Sequence, residues 1–479
     1  MTAGPVLRGT AGMTARAVND GRQDPRAAVD RALAAIAAGN DALNAIVDFA
    51  PGEVEPQLAE LARRLKAGER PPLAGVPVAI KDHIRIAGKR VTLGSLMFRD
   101  FVPERDDVAI TRLRAAGAIF VGATNMSEFG CTGHTSNLVY GVTRHPLDTR
   151  LTPGGSSGGA AAALAAGFVP LALGSDGAGS GRRPAAHCGV VGFKPSAGAI
   201  ATPRILSPTE VLAPMATSVA DAALFFAALA GPHPDDPGAV ALPRDDGRPL
   251  TALRIAYSPR FGLDVPVDAD VAEAIDGAVE RLRAAGFVID RADPAWPEGA
   301  RESGITPIQE AGLAAAWGDT WRATPERFSP GVAAQIERGL ALDGTAVARA
   351  HDLSRALAGA AARFFASGYD LMIGPTTPCV AWPHAQFAPP RIGGHEVGER
   401  GHAVFTPFFN HAFCPALSLP AGHGRDCLPV GLQVVGPRLS DHRVLRVAEA
   451  FEGVLYGEAV GRPIRSGSAG SRSRSRATR

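Results

Sequence analysis

Apolar positions along the chain recur with two distinct periods. In RAAVDRALAAIAA (26–38) and PQLAELARRLKA (56–67) they fall three and four residues apart with charges between them. That spacing predicts two amphipathic helices ahead of the main core. In LAGVPVAIK (73–81), Val76, Val78 and Ile80 alternate with smaller residues as in a buried strand. Lys81 then falls at a strand end with its stem in the core.

Further strands are expected at 118–123, 169–174 and 190–193, alternating with helices at 107–116 and 158–167. The later chain repeats the theme. LRIAY (253–257), an amphipathic stretch at 270–286 and FVID (287–290) form a β-α-β signal, and YDLMIGPTTP (369–378) reads as strand running into turn. The alternation predicts one large α/β domain with a mixed central sheet covered by helices on both faces. Residues 1–70 would be an amino-terminal helical segment packed on a main domain at 71–464. GPHPDDPG (231–238) is an exposed connection between two lobes of that domain. The last residues, 465–479, contain no apolar anchor and read as a disordered basic tail.

Composition narrows the function classes. Among 479 residues, Lys plus Arg number 49 and Asp plus Glu 47, so the chain has no general electrostatic commitment to nucleic acid or to an anionic membrane. The expected partner is a small molecule. Cys131, Cys188, Cys379, Cys414 and Cys427 are scattered and form no C-x-x-C pair, so they read as buried free thiols without a metal site. The amino-terminal stretch has no apolar core of signal-peptide length, and the longest apolar run, 158–174, is short for a membrane span. Cytoplasmic residence is the resulting expectation, with a homodimer left open.

The chemistry concentrates in PGGSSGGAAAALAAGFVPLALGSDGAGSGRRPAAHCGVVGFKP (153–195). As a flexible linker GGSSGG would border polar sequence, yet it runs into an apolar stretch that must be buried. A phosphate loop needs Lys-Ser or Lys-Thr after its glycines, and Gly159 is followed by four alanines. Catalysis by serine has two versions. Gly154, Ser156 and Gly158 match the G-x-S-x-G elbow, with His351, His384 or His411 as partners for an esterase. The elbow must follow a buried strand, however, and TRHPLDTRLTPG cannot be one. In the other version Ser180 is the nucleophile, because GSDGAGSGR follows the buried strand VPLALG. The small residues Gly177, Ala178 and Gly179 let backbone N–H groups, with that of Ser180, converge on a developing oxyanion.

These segments resemble the amidase-signature family: GVPVAIKD (75–82), GGSSGG (154–159), SDGAGS (175–180) and GVVGFKP (189–195), with matching stretches at VADAA (219–223), PTTP (375–378), Asn410 and LPVGLQ (428–433). The resemblance covers nearly all of the chain but the tail. It implies a Ser-cisSer-Lys triad in which Ser180 attacks the amide, Ser156 follows a cis peptide and relays a proton, and neutral Lys81 receives it. A lysine usable near neutral pH needs its pKa lowered by roughly three units, an effect of about 4 kcal/mol from burial and hydrogen bonding. By the same resemblance Asp176 and Arg182 brace the nucleophile loop, Ser157 supports the triad, and Gly130 and Cys131 line the acyl pocket. No cofactor or metal is implied.

The chain departs from the family pattern at Ala178, where a glycine is usual, at Gly181, where a branched residue is usual, at Thr217, where an arginine is common, and at Phe413, where a glycine is common. If the loop requires positive φ at 178, alanine would strain it. The expected activity is hydrolysis of a small, fairly apolar carboxamide to acid and ammonia or amine. The runner-up is the A subunit of a tRNA-dependent glutamine amidotransferase, which resembles an Asp seven residues before the asparagine, where this chain has Ala403. A binding homologue without catalysis is the remaining alternative. Pocket shape should depend on segments near 126–140, 300–345 and 379–413.

Overall fold

The computed structural model describes residues 10–48, 51–204 and 206–457. The expected basic tail lies outside them. Eleven strands form one sheet, in the spatial order Ile46–Asp48, Ile119–Thr124, Pro77–Lys81, Leu171–Asp176, Val211–Ala216, Val191–Lys194, Ala416–His423, Pro429–Val435, Leu371–Pro375, Arg254–Tyr257 and Val288–Arg291. Pairing is parallel around Pro77–Lys81 and again around Arg254–Tyr257, and antiparallel through the centre. The sheet is therefore mixed, and helices pack against its faces. The chain on both sides of the 231–238 connection contributes strands to it. The amino-terminal residues also add an edge strand, with Ile46 opposite Thr124.

The helices form where the apolar spacing places them. Pro25–Leu43 starts at an Asp24 cap, whose carboxylate accepts the Arg26 N–H, and Val54–Lys66 turns Val54, Leu58 and Leu61 inward. Gly158–Ala165 is buried on every side. It approaches the loop at Asn125 so closely that a Cβ on Gly159 would lie 2.5 Å from the Asn125 backbone. The alanines that follow, Ala160 to Ala163, are fully buried in the same helix. Among the described residues no helix is long and apolar enough to cross a membrane.

Parallel strands present their carboxyl ends on one edge, the usual place for a ligand crevice in such sheets. Pro77–Lys81 ends at Lys81. Its parallel neighbour Leu171–Asp176 runs directly into the segment containing Ser180, so the topology delivers both residues to one place.

Candidate active site

Lys81 is fully buried at the end of a strand with no exposed residue. Its Nζ lies 2.7 Å from Ser156 Oγ, 2.9 Å from Ser157 Oγ and 3.0 Å from Ser175 Oγ. The Ser157 hydroxyl donates to the Ser175 carbonyl at 3.1 Å, so toward Lys81 it acts as an acceptor. A neutral amine has two N–H groups and one lone pair. With the N–H groups on Ser157 and Ser175, the lone pair can accept the Ser156 hydroxyl proton. Burial lowers the Lys81 pKa to about 8, against the opposing pull of Glu210, Asp176 and Cys131.

Ser156 follows a cis peptide bond from Gly155, and the residues ahead of it form turns rather than a strand. The G-x-S-x-G match is thus not an elbow. His411 Nδ1 is bonded to Ser354 Oγ at 2.8 Å, and among the described residues none of His351, His384 and His411 hydrogen-bonds Ser156. The glycines of GGSSGG are positional: a Cβ on Gly158 would lie 2.2 Å from Thr135 Oγ1.

The Ser157 N–H donates to the Ser180 carbonyl at 3.1 Å, which ties the two serine segments together. The Asp176 carboxylate organises the loop between them and accepts the N–H groups of Gly179 (2.6 Å), Gly181 (3.3 Å) and Arg182 (3.2 Å). This corrects the expected donor set. The Gly179 N–H points back to Asp176, and no hydrogen bond among the described residues engages the N–H groups of the other three, Gly177, Ala178 and Ser180. The positive φ in the loop, 111°, falls on Gly179, and Ala178 keeps an ordinary conformation, so the Ala178 departure introduces no strain. Gly181 is small for a packing reason, because a Cβ there would meet Ala213 Cβ at 2.8 Å.

Asp176 and Arg182 form an ion pair at 2.9 Å with both side chains fully buried. Arg182 also donates to Gln433 Oε1 (2.7 Å), Asn410 Oδ1 (2.5 Å) and the Thr406 carbonyl (3.1 Å), and Asn410 Nδ2 returns to the Asp176 carbonyl at 2.8 Å. Burial alone would raise the Asp176 pKa, but Arg182, Lys194 and Asn410 hold it well below the usual carboxylate range. Every polar atom of the pair meets a partner, as a buried ion pair requires.

A cavity of about 150 Å³ opens on this edge and is lined by Ser156, Ser175, Gly177, Ala178, Ser180, Gly130 and Cys131. Its far wall is apolar, with Leu93, Phe129, Leu313 and Trp317, and the rings of Phe129 and Trp317 stack at 5.1 Å. Burial pushes the Cys131 thiol up to about 12, and its Sγ donates to the Phe129 carbonyl at 3.3 Å, so it lines the cavity as a neutral group. Five residues escape sequence reasoning: Ser175, the buried pair His83 and Glu210 (3.3 Å), Arg183, and Arg400, which Glu302 holds at 2.6 Å. Ser175 had a signal, since it belongs to the SDGAGS segment; His83 and Arg183 follow Lys81 and Ser180 closely with nothing in the sequence to single them out, and Glu210 and Arg400 join the site through tertiary contacts.

A sheet edge with a buried lysine, a cis-linked serine and a second serine beside idle N–H groups is the layout of a serine-dependent amide hydrolase. Known proteins agree. The Amidase family model matches residues 27–445. An acylamidase of Rhodococcus erythropolis is 35% identical over 463 residues, covering 92% of this chain and 94% of its own. The A subunit of the glutamyl-tRNA(Gln) amidotransferase of Deinococcus radiodurans is 33% identical, covering 93% and 97%. Among solved structures, a bacterial aryl acylamidase of the amidase signature enzymes family superposes with a TM-score of 0.86 at 26% identity, covering 94% of this chain and 97% of the other. The chain belongs to the amidase-signature family, and it is an amide-hydrolysing enzyme.

Proposed function

We propose that the protein hydrolyses the C–N bond of a small carboxamide through an acyl-enzyme on Ser180. The observation that carries this reading is the 2.7 Å contact between Lys81 Nζ and Ser156 Oγ at a cavity that Ser180 also lines. Ser180 Oγ attacks the amide carbon and gives its proton to Ser156, whose own proton passes to Lys81. The carbonyl oxygen gains negative charge and is met by the N–H groups of Gly177, Ala178 and Ser180; each such donor is worth about 3 kcal/mol in comparable sites. Return of the proton through Ser156 to the nitrogen breaks the C–N bond and releases ammonia or an amine. Water then loses a proton over the same route, attacks the ester and frees the acid and Ser180. The Asp176 and Arg182 network holds the donors in place without touching substrate.

Intact mass after exposure to a serine-reactive fluorophosphonate tests the reading, with Ser180→Ala as control. One adduct on wild type and none on the variant supports it, and an unmodified wild type counts against it. A panel of aliphatic, aryl and amino-acid amides assayed by ammonia release then locates the substrate.

The amidotransferase reading is the second, since several relatives of similar identity are components of such enzymes. Position 403 favours a free-standing amidase. Ala403 lines the cavity and is buried there, so the side chain that could hold a substrate ammonium at that point is a methyl group. Hydrolysis of glutamine in preference to simple amides would reverse this choice.

A further inference from the structure

The cavity has a second chemical end, which the proton relay does not use. Arg183 lies three residues after Ser180 on the helix Arg182–Cys188, is more than nine-tenths buried, and lines the cavity. Its Nη1 donates to the Ala178 carbonyl at 2.6 Å, within the loop whose N–H groups face the reacting carbonyl. Its Nε has no partner among the described residues. Among the described residues no carboxylate hydrogen-bonds this guanidinium. Asp176 is committed to Arg182, Glu302 to Arg400, Glu310 to Arg338 and Glu210 to His83, and Glu399 is exposed at the rim.

Asp176 and Glu302 act on Arg183 through space, each already paired with another arginine, and the groups packed beside it add donors. The His402 ring also lines the cavity, seated against Gly133, where a Cβ would meet its Nε2 at 1.8 Å. Among the described residues neither of its buried ring nitrogens has a hydrogen-bond partner, and the same holds for both nitrogens of His187. Burial and the surrounding Arg183, His187, Arg400 and His134 drive the His402 pKa well below its ordinary value, which leaves it a neutral ring with one N–H to donate. A buried cation with an idle N–H beside other idle donors is costly unless an anion completes the set. A guanidinium fork fits a planar carboxylate.

Building on the amide-hydrolase reading, we propose that Arg183, with His402 beside it, recognises a carboxylate on the substrate. The preferred amide then has an anionic group a few bonds from the scissile carbonyl, and the remainder lies on the Phe129 and Trp317 wall. Two substrate pairs separate the sites the carboxylate could occupy. Succinamate against its methyl ester probes the acyl side, with ammonia as readout. N-acetylglycine against N-acetylglycine amide probes the amine side, read as release of glycine or glycinamide.

The expected result is a kcat/KM at least about tenfold higher for the carboxylate member of one pair, the size of one charge-assisted contact. Arg183→Gln should bring that ratio close to one, the carboxylate member losing at least about tenfold more than the neutral member, and Arg183→Lys should restore part of the ratio. A ratio of one or less in both pairs for wild type overturns the proposal. So does an Arg183→Gln variant that weakens both members equally, because that is what a merely structural brace for Ala178 would do. If neither pair turns over, protection of Ser180 from the fluorophosphonate decides: succinate protecting better than butanol supports the site, and equal protection overturns it. Absence of any Ser180 adduct in wild type would instead count against the amide-hydrolase reading, and this proposal would fall with it.

Discussion

Two lysines in this protein close buried strands, and one of them bonds hydroxyls of the cavity wall. Lys81 ends Pro77–Lys81 and Lys194 ends Val191–Lys194; both are enclosed, and burial brings both amines down to about 8. Their partners differ. Lys81 Nζ faces three hydroxyls, two of them on the cavity wall, whereas Lys194 Nζ donates to the Pro195 carbonyl at 2.9 Å. A hydroxyl can surrender a proton and a carbonyl cannot. A depressed pKa therefore marks burial, and the neighbouring hydroxyl marks chemistry.

Replacing each lysine gives the largest contrast. Lys81→Ala should lower kcat by about 10⁴-fold or more, because the members of such a relay fail together. Lys194→Met should stay within about tenfold of wild type. Ammonia release from any amide that wild type hydrolyses measures both, and equal losses would break the comparison.

The Asp176 charge pulls the pKa of both lysines upward, against the larger effect of burial. Asp176→Ala strands the fully buried Arg182, so a stability loss of about 3–5 kcal/mol by urea unfolding is expected. A loss under about 1 kcal/mol would mean that the loop is not held by this pair.

Acid–base behaviour sharpens the comparison without touching the reaction. Because the folded pKa of each lysine is depressed, the unfolded chain binds protons more readily between about 8 and the ordinary value of 10.5. Each lysine therefore makes stability rise with pH across that window, by up to about 3 kcal/mol, and imposes its full penalty below it. Lys194→Met should remove its share of the rise, seen as a smaller gain in urea midpoint from pH 8 to pH 10. An unchanged gain would show that Lys194 is not charged on unfolding in the way proposed.

The smallest effect lies on the Lys194 side. Phe413 takes a positive φ of 58° beside Cys414, a neighbour of Lys194. Here a side chain stands where a glycine is easier, so Phe413→Gly should gain about 1 kcal/mol from relief of the left-handed backbone. Partial loss of the Arg438 guanidinium stacked 5.8 Å from the ring works against that gain. A net loss in thermal melting would show that the ring contact outweighs the backbone.

How legible each region was depended on how local its signal is. Lys81 and the strand before it were readable because every residue of that strand is buried and its large apolar positions, Val78 and Ile80, are β-branched. The strand Ala416–His423 was not. It contains Pro420 and Gly422, which argue against a strand, and it tolerates them because its pairing with Val191–Lys194 ends at Ser418, before the proline. The helix Glu302–Ala323 has Pro307 inside it and no single apolar face, so no period marked it. It nevertheless supplies Leu313 and Trp317 to the cavity. The triad candidates and the Asp176–Arg182 brace came from motif resemblance. The Gly179 donor was misassigned because spacing alone cannot tell which N–H an adjacent carboxylate captures. Nothing in the sequence singles out Arg183, because its burial at the cavity is set by tertiary packing.

The central claim is that an uncharged Lys81 draws the proton that arms Ser180. The rate of Ser180 labelling by the fluorophosphonate, followed by mass against pH, tests it most directly. The account predicts a rate that climbs about tenfold per pH unit and levels near pH 8, with the same profile in Lys194→Met. A flat profile, a midpoint close to the 6.5 of a histidine, or a limb that vanishes in Lys194→Met would contradict it.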